Sequence, residues 1–110
     1  MPSPPPENPR AAYDAIAQAL LLQRGDISAS RMFGVDCLLV ERKLFALFQH
    51  DSMIFKLGGD EHRAALALPG AQVWHPPGQK RAMSKWVQVP FVQAEHWPQL
   101  AEQSLAFVAS

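Results

Sequence analysis

Apolar side chains first recur at helical spacing, with Tyr13, Ile16, Ala17 and Leu20 on one face and alanines filling the rest. That spacing predicts an amphipathic helix beginning just past Pro9. Arg24-Gly25-Asp26 ends it, with Gly25 suited to the C-terminal cap. The period then changes. Asp36 to Val40, Leu44 to Phe48 and Met53 to Leu57 are apolar runs of strand length, divided by the short polar stretches Glu41-Arg42-Lys43 and Gln49-His50-Asp51-Ser52. Connectors this short cannot carry a parallel crossover, so the three runs form an antiparallel meander.

The meander departs from the usual alternation of a half-solvated sheet. Cys37-Leu38-Leu39-Val40 and Leu44-Phe45-Ala46-Leu47-Phe48 are apolar on both faces, and only the third run keeps a clear polar position, Lys56 between Phe55 and Leu57. Something must cover the second face. The candidates are the terminal helices, divided between the faces, or another protein surface such as a second copy of this chain.

Gly58-Gly59 interrupts the sheet, and Asp60 is placed to cap a short helix over 61–68 that Pro69-Gly70 stops. Ala71 to Trp74 reads as a fourth strand and Lys85 to Val89 as a fifth, with Trp86 and Gln88 facing opposite to Val87 and Val89. His75 to Arg81 between them is an irregular connector. After Pro90 a last helix begins near Trp97-Pro98, with Trp97, Leu100, Ala101, Ser104, Leu105 and Val108 along one stripe. Helix, three strands, helix, two strands and helix make a two-layer α+β domain with a mainly five-stranded antiparallel sheet and about three helices. Five prolines within residues 1–9 mark that stretch as a disordered tail, leaving 10–110 as a single domain.

Composition narrows the function classes. Ten basic and ten acidic side chains cancel, so no global field steers the chain toward nucleic acid or an anionic membrane. One cysteine, Cys37, excludes an intrachain disulfide and agrees with a reducing compartment. No apolar run approaches the roughly 20 residues of a membrane span, and the proline-rich start lacks the regions of a secretory signal, so the expected location is the cytoplasm.

Several pieces occur in an order that resembles the TfoX/Sxy N-terminal domain family. They are Arg31-Met32-Phe33-Gly34, Leu44-Phe45-Ala46, Met53 to Leu57, Leu68-Pro69-Gly70-Ala71, and Met83 to Trp86 followed by Val89-Pro90. The likeness covers about residues 12–108 and is nearest the stand-alone small proteins of that family. Val35 stands where a second glycine often follows the Met-Phe-Gly element, which puts in doubt any function needing a double-glycine turn. The resemblance implies the fold, a bacterial origin, and a role as a regulatory or protein-interaction module. It does not carry over the gene-activating role of the full-length competence regulators, whose separate C-terminal domain has no room in these 110 residues.

The residues themselves supply no catalytic set. Cys37 lies inside an apolar strand, where cysteine behaves as a small hydrophobe, and no Gly-x-Ser-x-Gly elbow exists. His50, His62, His75 and His96 share no ligand spacing, so no metal is expected; Gly58-Gly59-Asp60 lacks the rest of a phosphate loop, so no cofactor is expected either. The remaining candidates for binding are Arg31 and Lys56, which coincide with the resemblance motifs, and the basic cluster Lys80, Arg81 and Lys85 with Trp86 beside it. Two readings follow: a non-enzymatic interaction module, dimeric or bound to a protein partner through the apolar sheet face, or a nucleic-acid binder using the basic loop and its tryptophans.

Overall fold

The computed structural model describes residues 8–32, 34–76 and 83–109. Helix α1 spans Pro9–Gln23 and starts where local chemistry dictates: Asn8 accepts a hydrogen bond from the Ala11 amide at 2.8 Å, and Pro9 takes the first helical position. Asn8 and Pro9, assigned to the tail by their sequence, thus belong to the start of α1; residues 1–7 of the expected tail lie outside the described residues. Strands β1 (Ile27–Met32), β2 (Val35–Val40), β3 (Lys43–Gln49) and β4 (Ser52–Lys56) follow as consecutive hairpins. Helix α2 (Gly59–Leu66), strand β5 (Gln72–Trp74), strand β6 (Met83–Pro90), a 3₁₀ segment (Phe91–His96) and helix α3 (Trp97–Ala109) complete the chain.

The strands make one antiparallel sheet in the order β1-β2-β3-β4-β6-β5. The α+β class stands, with six strands among the described residues instead of five. The additional strand is β1, whose sequence Ile-Ser-Ala-Ser-Arg-Met buries only Ile27 and so carries no apolar alternation to read. Asp60 does not cap α2; Gly58 holds that position without a side-chain bond, and α2 stops at Leu66.

All three helices contribute to one core. Leu38, Val40, Phe45, Met53, Phe55, Val87 and Val89 point toward Tyr13, Ile16 and Leu20 of α1, Ala65 of α2, and Trp97, Leu100 and Leu105 of α3. Of the two candidate covers for the second face, a division of the helices between the faces is not what forms among the described residues. A register shift reconciles the chain with this: Leu38 pairs with Ala46 and Leu39 with Leu44, leaving Phe45 as an extra residue in β3. Phe45 and Ala46 both reach the helix side, and Leu47 turns to the other face. At the open end of the core Tyr13 stacks on Phe48 with centroids 5.1 Å apart, and Arg10 lies over both rings while pairing with Asp36 and Asp14.

Two hairpins are tight. Val40 and Lys43 flank Glu41-Arg42, and Gln49 and Ser52 flank His50-Asp51. All four loop residues have positive φ, from 49° to 70°. This is the mirror-image turn that suits strand twist, and it normally takes Asn-Gly; side chains with a Cβ are strained there by about 1–2 kcal/mol each. Gly34, at φ 78°, relieves the same demand at the β1–β2 turn. Replacing His50-Asp51 by Asn-Gly (His50→Asn with Asp51→Gly) is expected to raise stability by about 1–2 kcal/mol. A urea midpoint that stays level or falls would show that the turn carries no strain.

Candidate functional site

The face of the sheet away from the helices carries its own cluster. Val35, Cys37, Leu47, Ile54 and Trp86 are buried, with Leu39, Leu44 and Trp74 packed partly buried around them. Every member is a strand residue. The shielding comes partly from large rings: Trp74 meets Trp86 edge-on at 6.0 Å, and the Trp74 indole N–H donates to Gln49 Oε1 at 3.3 Å.

At the end of the sheet where this face meets the last turn of α3 lies an open groove of about 640 Å³. Its floor is Leu39, Leu44 and Trp86, and its cationic lining is Arg42, Lys43, Lys56 and Lys85. Antiparallel order explains why these meet. The end of β2, the start of β3, the end of β4 and the start of β6 all lie at the same end of the sheet, on neighbouring strands. Lys56 is the register partner of Trp86, and its ammonium stands 5.9 Å from that ring. Met32 and the α3 residues Phe107 and Val108 form the apolar remainder of the wall.

The electrostatics of the groove differ from the rest of the surface. Among the described residues no carboxylate lines it. Elsewhere Arg10 pairs with Asp14 and Asp36, Arg24 with Asp26, and Arg63 with Asp60. Among the described residues no ion pair engages Arg42, Lys43, Lys56 or Lys85. His62 ties the groove to α2 by donating its Nε2–H to the Ser84 carbonyl at 2.6 Å, beside Lys85. Gly58 fixes Phe107, because a Cβ there would lie 2.4 Å from the ring.

Of the sequence candidates, Lys56, Lys85 and Trp86 come together in this groove. Arg31 does not: it is exposed on β1, opposite Asp36 in the register and outside the groove lining. Lys80 and Arg81 lie outside the described residues. Arg42 and Lys43, which read as turn residues in the sequence, reach Lys56 through the pairing of β3 with β4, and the pairing of β4 with β6, for which no local signal exists, adds Lys85 and Trp86. Trp86 is 7% exposed, so its ring belongs to the floor and offers no free face for stacking a base.

Cys37 is fully buried in this cluster, and burial, with Asp36 nearby, pushes its thiol up. Burial likewise raises the Tyr13 phenol. Among the described residues no three of His, Cys, Asp and Glu converge as metal ligands. No described helix is long and apolar enough to cross a membrane.

Two outcomes follow from the buried groups. The native protein should leave a thiol reagent unreacted until it unfolds; prompt modification of Cys37 would contradict its placement. Both raised groups keep their protons in the folded state, so the stability they contribute is complete below the unfolded thiol value of about 8.5. It is lost as pH climbs past that value, and further beyond about 10, where the unfolded tyrosine ionises. Urea midpoints should fall across this alkaline range, and Tyr13→Phe should flatten the upper part; midpoints independent of pH would refute the assignment.

In comparisons with known proteins, the family model described as the TfoX N-terminal domain matches residues 19–108. A search of curated proteins and a search of solved structures gave no match.

Proposed function

Because this chain belongs to the TfoX N-terminal domain family, we propose that it is a non-enzymatic regulatory module of the cytoplasm that docks an acidic segment of a protein partner in the cationic groove. The observation that carries this reading is the set of Arg42, Lys43, Lys56 and Lys85 around an apolar floor with no carboxylate beside them among the described residues. Cations of one sign on a concave surface attract and orient an anionic partner, and such steering weakens as salt is added. The apolar part supplies what charge alone does not. Leu39, Leu44, Met32 and Phe107 suit leucine or phenylalanine side chains interspersed with the acids.

An extended acidic segment fits the dimensions. Neighbouring strands lie about 4.8 Å apart, so the row from β3 through β4 to β6 spans roughly 10 Å, close to three or four residues of extended peptide. The burial of Trp86 and the cancelling charges of the whole chain favour such a peptide over single-stranded nucleic acid, which gains from exposed rings and a broad positive field.

The test is binding to immobilised peptides that alternate Glu or Asp with Leu or Phe, beside single- and double-stranded DNA, at low and high salt. Retention of the acidic peptides is expected, with a loss of tenfold or more, on the order of the ~1.4 kcal/mol that a factor of ten requires, in Lys56→Glu with Lys85→Glu. Equal retention by the wild type and the double variant would sink the reading. Preferential, salt-sensitive binding of DNA would replace it with the nucleic-acid one.

A further inference from the structure

The two edges of the sheet are unlike. The β5 edge has three residues, too few to offer a long template, and His75-Pro76 follows directly. The β1 edge has six residues, Ile27–Met32, with no proline, one charged side chain, and all but Ile27 exposed. A free edge of that length exposes a row of unpaired backbone groups.

Which groups face outward can be worked out from the β1–β2 register. Met32 pairs with Val35 across a two-residue turn, and the Glu41 amide donates to the Asp26 carbonyl at 3.0 Å. Both place the even-numbered residues of β1 in bonded pairs with β2, so the N–H and C=O groups of Ile27, Ala29 and Arg31 point away from the sheet. A two-fold axis perpendicular to the sheet keeps like faces together and requires opposed residues of equal parity. The register centred on Ala29 meets that requirement. It sets Ala29 opposite the partner's Ala29, Ser28 opposite the partner's Ser30, and Ile27 opposite the partner's Arg31. The smallest side chain of the strand meets itself on the axis, hydroxyls oppose hydroxyls, and the single cation faces no like charge.

The helix layer extends the match. Ala15, Ala19 and Gln23 of α1 face α3 across the cleft that Pro98 and Glu102 help line. At 100° per residue Leu21 lies on the opposite flank, toward the β1 edge. Leu21 is 40% exposed and Leu22, next to it, is 87% exposed. Strand pairing alone falls short of the roughly 1,200 Å² of a specific interface. Two α1 helices lying side by side across the axis, with Leu21 of each between them, add apolar area that strand pairing lacks.

We infer that the protein forms a two-fold homodimer in which β1 pairs antiparallel with the partner's β1 about Ala29, making one continuous twelve-stranded sheet from two copies of the six strands. The four cations of the groove lie outside β1, so the strand pairing does not engage them.

Light scattering on the wild type is expected to give twice the chain mass. Ala29→Cys should cross-link on oxidation well before Gln72→Cys on the β5 edge, Cys37 being buried in both. Ala29→Lys puts like charges on the axis, and Ala29→Pro removes an outward donor that β2 does not use; both should give the mass of one chain with an unchanged circular dichroism spectrum. A wild-type mass of one chain, a dimer that survives both substitutions, or cross-linking no faster from Ala29→Cys than from Gln72→Cys would each overturn the proposal. Should one of the Ala29 variants fail to fold, the other and the cross-linking rate still decide it. Lys56→Glu with Lys85→Glu should leave the dimer intact, which separates its failure from that of the docking groove.

Discussion

Pairing of β4 with β6 sets Phe55 opposite Val87 and Met53 opposite Val89, with all four side chains shielded from water in the helix-side core. More than thirty residues separate the partners in each pair, so the contact closes a loop whose entropy cost must be met by apolar burial. The N-terminal hairpins are local by comparison, each needing only a turn. Without the long-range pair the hairpins would form a four-stranded ribbon whose helix-side face lacks Val87 and Val89. The same pair brings Lys85 and Trp86 beside Lys56, so core and groove depend on one contact.

A single helix layer has a further consequence. It satisfies one face of the sheet and leaves the other to cover itself. That second face does so with Trp86, Trp74 and branched aliphatic side chains at its centre, and it becomes polar and positive at one end, where the strand termini gather. The arrangement separates stability from recognition. Residues such as Ile54 and Cys37 are fixed by packing, while Arg42, Lys43 and Lys85 extend into solvent at the ends of strands, where hairpin geometry tolerates charge. Phe107 links the two sides: its ring lies close over the Gly58 backbone and lines the groove, so the last turn of α3 is placed by the absence of a Cβ at Gly58.

Much of the fold was legible because local pattern and tertiary environment agree. The alternation of Trp86 and Gln88 against Val87 and Val89 did divide two faces, and the i, i+3, i+4 stripe from Trp97 to Leu105 did meet the core. Where pattern and environment part, the reading failed. Ser28, Ala29 and Ser30 form an exposed edge strand with nothing to bury, so β1 gave no period to detect. Asp60 had the chemistry of a cap, but the chain enters α2 earlier through Gly58.

By itself, the sequence determined the class of the domain, the antiparallel meander, and the faces of its helices and strands. These follow from near-neighbour effects: side-chain period, turn length, and the conformational limits of glycine and proline. Only the tertiary structure decided that all helices share one face, that β6 inserts between β4 and β5, and that Arg42 and Lys43 stand with Lys56 and Lys85 while Arg31 stands apart. Those outcomes depend on which apolar surfaces find one another across long stretches of chain, a choice made by the whole core at once and written in no single segment.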